Sequence, residues 1–225
     1  YIMKIGSETI SLLKNFASIN TNIVFKEGDS VSTISNAKNI FAKATIKETI
    51  PREFAIYDLN SLLAMWTLTD SQEIEFGDKC IGITSPAGKF EYYYSNPDIV
   101  TAAPSNEIQH VDVYKFKVTS DDIQMIMKAA AITGAPTISV TCKNQSVTLS
   151  VSDRKNDTAS NFKKSLGTSF DDFDVFIAVE NLKVIPDAYD ITVAKTPNGK
   201  AKFLHLKHES RQLQYWIAAE PGSVV

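Results

Sequence analysis

By residue type, the three histidines, His110, His205 and His208, are best suited to metal binding or proton transfer. Their spacing serves neither. His205 and His208 stand three apart on a segment that reads as a strand, so their side chains leave on opposite faces and make a poor shared ligand set. Surface imidazoles are the plainer reading. The clustered acids are Asp121-Asp122, which fits the dipole of a helix N-terminus, and Asp171, Asp172 and Asp174, which fit a turn before a strand. Paired carboxylates can do acid–base work, but no His, Lys or metal partner accompanies these. Gly77 and Gly82 are not followed by a phosphate-loop GK[ST], and neither GxSxG nor a Cys/His nucleophile pattern occurs. Cys80 and Cys142 form no CxxC and no zinc spacing; they read as reduced, half-buried thiols of an intracellular protein. The expectation is a protein that is not an enzyme and uses no cofactor or metal.

The bases are more suggestive. On a first predicted helix, Lys14 shares a polar face with Ser7, Ser11 and Ser18. On a later one, Gln124 and Lys128 do the same, and Lys183 falls on a short fourth. Scattered lysines on a thin polar face suit loose, sequence-blind contact with phosphates, and equally suit an ordinary solvated face. Arg154-Lys155 and Lys163-Lys164 form a denser group in or beside a predicted hairpin. A net charge of −3 excludes a surface that grips nucleic acid all over, while leaving room for a local basic face. The 44% hydrophobic residues suffice for real cores, and no run approaches the about 20 apolar residues a bilayer span needs.

The elements that carry these residues occur twice. Ser7-Glu8-Thr9-Ile10-Ser11-Leu12-Leu13-Lys14 is answered 113 positions on by Ser120-Asp121-Asp122-Ile123-Gln124-Met125-Ile126-Met127, and the match continues from Ala17 to Ala130 and from Ile19 to Ile132. Each copy opens with a short apolar strand and a helix, capped by Ser7 in the first and by a Thr119-x-x-Asp122 box in the second. The period then switches to two. Strands are expected over 22–26, 31–35, 41–46 and 54–57, and again over 137–142, 146–152, 159–166 and 174–179. A second helix follows in each copy, over 58–66 and over 180–185, where Pro186 stops it. Three more strands close each half: 73–76, 81–84 and 89–94, then 189–194, 201–207 and 214–219. The stretch between the halves, with two prolines and no periodicity, reads as a linker. The expected domains are 1–94 and 112–225, joined by a connector over 95–111.

This doubled order resembles the DNA polymerase sliding clamps, the processivity factors of the proliferating cell nuclear antigen-like superfamily. The text is more similar to the clamps of T-even-type bacteriophages, through Ser11-Leu12-Leu13-Lys14-Asn15-Phe16-Ala17-Ser18-Ile19-Asn20, Ala55-Ile56-Tyr57-Asp58-Leu59-Asn60 and Gly199-Lys200-Ala201-Lys202-Phe203. The resemblance implies an α+β DNA-clamp fold of two similar domains, each with antiparallel sheets outside and two helices on the inner face. It implies a head-to-tail homotrimeric ring around duplex DNA that tethers the replicative polymerase. An ATP-driven clamp loader would open it, in the cytoplasm of an infected bacterial host and without a membrane.

The resemblance also distributes roles. The DNA-facing candidates are Lys14, Lys128, Lys183, Arg154 and Lys155; the second helix carries no base, which departs from a strongly basic lining. The subunit interface would join 89–94 of one copy to 159–166 of the next. That brings in Phe90, Glu91, Tyr92 and Tyr94 on one side and Phe162, Lys163 and Lys164 on the other, with Lys163 or Lys164 able to pair with Glu91. A groove for a partner peptide would involve Ile108, Val111, Ile217, Ala219 and Pro221. Core packing competes for Ile217. Three rival readings of the residues are a DNA-binding processivity factor that forms no ring, a hydrolase or other enzyme on an α+β scaffold, which the lack of a nucleophile–base pair disfavours, and a structural adaptor protein of the same fold.

Overall fold

A computed structural model describes residues 2–68 and 73–225, in two compact units that divide at Ser105 and Asn106. In the first unit, strand β1 (Ile2–Lys4) leads into helix α1 (Ser7–Ile19). Strands β2 (Ile23–Phe25), β3 (Gly28–Ile34), β4 (Ile40–Ile50) and β5 (Phe54–Ile56) follow, then helix α2 (Leu59–Leu68). Strands β6 (Glu73–Phe76), β7 (Cys80–Ser85) and β8 (Gly88–Tyr93) close the unit as an antiparallel sheet in the order β1-β6-β7-β8. The apolar residues of α1 recur at helical spacing, so Leu12, Leu13, Phe16 and Ala17 are buried while Ser7, Ser11, Lys14 and Ser18 lie exposed on the other side. Helix α1 packs against α2, whose Leu59, Leu62, Leu63 and Trp66 are buried in turn.

Ser7 does not cap α1. The cap residue is Gly6, and a distant carboxylate does the work: Glu48 on β4 accepts from the Gly6 N–H and from the Thr9 hydroxyl, both at 2.6 Å. A carboxylate there satisfies free donors and opposes the positive end of the helix dipole. Helix α2 starts at Asp58, which accepts from the Ser61 N–H (3.1 Å) and the Ser61 hydroxyl (2.6 Å); the Ser61 hydroxyl is the main reason its carboxyl is held below the usual range. The early connector is held within this unit. A 3-10 turn spans Pro97–Ile99, and Val100 is buried with Val24 and Ala55.

The second unit repeats the opening with strand β9 (Val111–Val118) and helix α3 (Ser120–Thr133). Here the expected capping box forms: the Asp122 N–H donates to the Thr119 hydroxyl (3.2 Å) and the Thr119 N–H to the Asp122 carboxylate (3.0 Å). Gly134, at φ 66°, ends the helix in the left-handed conformation glycine tolerates. Strands β10 (Thr137–Lys143), β11 (Ser146–Ser152), β12 (Phe162–Thr168) and β13 (Phe173–Ala178) form an antiparallel sheet in the order β12-β11-β10-β13. One face, with Val147, Leu149, Val151, Val175 and Ile177, is buried, and β11 packs on α3. Strands β14 (Tyr189–Lys195), β15 (Lys202–His208) and β16 (Leu213–Ala218) pair in the order β9-β14-β15-β16.

The fourth predicted helix does not form. Residues Val179–Asn181 make a single 3-10 turn, and Leu182 leaves it at φ −78°, ψ 62°. Six residues are too few to nucleate a helix alone, and Val184 and Ile185 are β-branched. Tyrosines also claim the backbone: the Ile185 N–H donates to the Tyr215 hydroxyl (3.3 Å), and the Ile185 carbonyl accepts from the Tyr189 hydroxyl (2.6 Å). The described residues thus hold three α-helices, two in the first unit and one in the second.

The chain's last residues cover one sheet margin. Asp174 and Val224 exchange backbone hydrogen bonds at 2.9 and 2.7 Å, and the Glu220 N–H donates to the Phe176 carbonyl at 2.7 Å. This leaves β12 as the open edge of its sheet.

Candidate assembly edges, nucleic-acid face and peptide groove

Two edge strands stand out. β8 borders the first unit's sheet, and all of its residues except Tyr92 are exposed; β12 borders the second unit's sheet, and only Phe162 and Leu166 are partly covered. Their side chains sort by pairing register. On β8, Phe90 and Tyr92 lie opposite Ile83 and Ile81 on the buried face, while Lys89, Glu91 and Tyr93 lie opposite Thr84, Gly82 and Cys80 on the other. The Tyr92 hydroxyl donates to the Asp58 carbonyl (3.1 Å) and accepts the Asp58 N–H (3.0 Å), and burial raises its pKa. Lys89 reaches across to Glu75 at 3.2 Å. Tyr94 has turned inward instead. Its ring stacks on Phe54 with centroids 5.0 Å apart, Arg52 lies over it at 5.3 Å, and its hydroxyl donates to the Gly77 carbonyl at 3.2 Å. It is committed to its own unit.

On β12, Phe162 and Lys164 lie opposite Val151 and Leu149, on the face that α3 covers. Lys164 makes an ion pair with Asp122, and this bond is the first cause of the lowered pKa of that carboxyl. Lys163 lies opposite Ser150 on the helix-free face and has no ion pair among the described residues. The adjacent lysines therefore differ in kind, one holding the start of α3 and one free.

Within the second unit, the basic residues expected to face DNA do not form one group. Lys14 and Lys128 are exposed on α1 and α3. Lys183 sits half-buried after the 3-10 turn rather than on a helix, and is engaged by neighbours. Arg154 lies in the β11–β12 turn with its guanidinium 3.4 Å from the centroid of the Phe176 ring. Phe176 alternates with the buried Val175 and Ile177, so Arg154 is held on the sheet face opposite α3, away from Lys128. Lys155 is exposed in the same turn.

Of the groove candidates, Ile217 is fully buried in the core and unavailable to an incoming chain. Ile108 is half-buried and Val111 exposed; Ala219 and Pro221 line a separate concavity of about 280 Å³. The histidines prove more informative than a surface reading allows. His205 stacks flat on Trp216 (centroids 4.8 Å apart, 11° between planes) and contacts Gln214 at 2.7 Å; burial lowers its pKa. The His110 ring meets His205 edge-on at 5.2 Å and donates from Nδ1 to the Ile108 carbonyl at 3.1 Å. Together they border a cavity of about 480 Å³ that also touches Asp112, Lys115 and Thr192. The cue was present in the sequence, where Phe203 and His205 alternate on one strand and Gln214 and Trp216 on the next. His208 is buried instead, accepting from the Ser210 and Arg211 N–H groups (3.1 and 3.0 Å) with Nε2 2.9 Å from Asp187.

Comparison with known proteins identifies the family and the fold. Residues 6–93 match the family model for the DNA polymerase processivity factor, and residues 115–221 match that for the gp45 sliding clamp, C terminal. The sliding clamp of Vibrio phage KVP40 is 31% identical over 226 residues, covering 97% of this chain and 99% of that protein. The sliding clamp of Enterobacteria phage T4 is 29% identical, covering 98% of each. Among solved structures, proliferating cell nuclear antigen from Thermococcus kodakaraensis superposes with a TM-score of 0.65 at 15% identity, over 97% of this chain and 98% of that one. The Entamoeba histolytica protein gives 0.62 at 17%, over 94% of each, so the fold is the clamp fold. The chain belongs to the sliding clamp family, the DNA polymerase processivity factors, and is similar throughout its length to the clamps of bacteriophages.

Proposed function

We propose that the clamp acts as a closed head-to-tail ring of three copies around duplex DNA, with β8 of each copy adding to β12 of the next. The pair of open sheet edges carries this reading. Exposed edges invite further strand pairing, and a heterologous contact satisfies both at once when the rotation closes. Each chain contributes domains 1–94 and 112–225 joined by a connector over 95–111. Lys14 on α1 and Lys128 on α3, with Lys155 as an outlying contact, meet the phosphates loosely, because each strong phosphate contact would add friction to sliding. A peptide from the polymerase docks against Ile108, Val111 and the His110–His205 cavity. A separate ATP-driven loader opens the ring, in the cytoplasm of an infected bacterium, and the clamp itself catalyses nothing.

After loading, the clamp should stay on nicked circular DNA and run off when that circle is linearised. Equal retention on both forms would replace a topological hold with a charge-based one.

A further inference from the structure

We infer that Glu91 of one copy faces Lys163 of the next, and that this pair sets the register of the β8–β12 junction. The inference rests on the strand-edge reading above and chooses between two lysines that are neighbours in sequence. Glu91 lies on the face of β8 that carries Lys89 and Tyr93, opposite the face where Tyr92 bonds to Asp58 at the start of α2. Lys163 lies on the corresponding helix-free face of β12, while Lys164 is on the helix-covered face and already bound to Asp122. If the covered faces of the two sheets continue into one another, Glu91 shares a face with Lys163 and not with Lys164.

Few registers remain. In an antiparallel junction, a slip of one residue would set the covered face of one sheet against the uncovered face of the other. A slip of two in one direction sets Lys89 opposite Lys163, like charges directly across the ladder. A slip of two in the other sets Glu91 opposite Ser165 and Tyr93 opposite Lys163, with no ion pair directly across. Only the register between them places Glu91 opposite Lys163, and it also puts Tyr92 opposite Phe162, an aromatic cross-strand pair on the covered face. Both charges are available: the Glu91 carboxylate accepts from the Tyr93 hydroxyl at 3.3 Å and acts on Lys89 only through space, and Lys163 has no ion pair among the described residues. Opposite charges here would reward the correct alignment and penalise the shifted one.

Charge exchange tests this by sedimentation velocity of the full chain over a concentration series. Glu91→Lys and Lys163→Glu should each weaken assembly roughly tenfold, and the two together should recover most of that loss. Lys164→Glu should show no recovery with Glu91→Lys. A double exchange no better than the worse single variant would overturn the register. Tyr92→Glu and Phe162→Glu serve as the separate control on the edges. If they dissociate the assembly while the exchange fails, only the register is wrong; if they leave it intact, the edge pairing itself falls.

Discussion

Helices α1 and α3 begin 113 residues apart and match in sequence, yet their environments differ. Leu12 is 1% exposed while its counterpart Met125 is 50% exposed, and Ile19 is 6% exposed against 85% for Ile132. The cause is the neighbour. Helix α1 packs against α2, whereas the corresponding segment of the second unit is a 3-10 turn whose backbone is tied to Tyr189 and Tyr215. The helix and its phase recur in both units, but without a second helix part of the apolar stripe of α3 stays uncovered. Apolar residues at matched positions therefore do not guarantee matched burial.

The comparison can be broken most directly in the cores. Leu12→Ala should cost about 2–5 kcal/mol, while Met125→Ala should cost under about 1 kcal/mol, read from urea unfolding midpoints. Similar losses at the two positions would mean that α3 is covered by something the described residues do not supply. The helix starts offer a smaller contrast. Glu48→Ala leaves the Gly6 N–H and Thr9 hydroxyl without their acceptor and should cost about 1–2 kcal/mol, against about 1 kcal/mol for Thr119→Ala. The smallest effect is in acid. Lys164 and the Thr119 N–H hold the Asp122 carboxyl below its usual range, so its contribution is complete above about pH 4 and fades as pH falls through the lowered value. Asp122→Asn should lower stability at neutral pH and flatten that part of the acid titration; an unchanged acid profile would show that the ion pair contributes nothing.

Much of the fold was legible because its signals are local. The doubled opening, the Thr119 box and the alternation along β10, β11 and β15 can each be read within a few residues. The cap of α1 could not be read that way: Ser7 is the right type but stands inside the helix, and Glu48 reaches Gly6 and Thr9 from a strand farther along the chain. The fourth helix failed partly for the same reason, since the distant Tyr215 joins the nearby Tyr189 in claiming the backbone of Ile185. In the candidate site, aromatic and basic residues marked both edges. Sequence could not assign Lys163 and Lys164 to faces, because a strand's face depends on its pairing partner. Nor could it foresee that Phe176 would hold Arg154 on the side opposite α3.

The residues from Glu220 to Val224, laid along β13, occupy the backbone groups of that margin. With that margin occupied, the β12-β11-β10-β13 sheet has a single open flank, which leaves that sheet one strand-pairing neighbour. Were the tail displaced, the same sheet would become two-sided. Growth could then branch, and the products would tend toward networks of indefinite size instead of small closed species. A few backbone hydrogen bonds thus close one flank of this sheet to strand pairing.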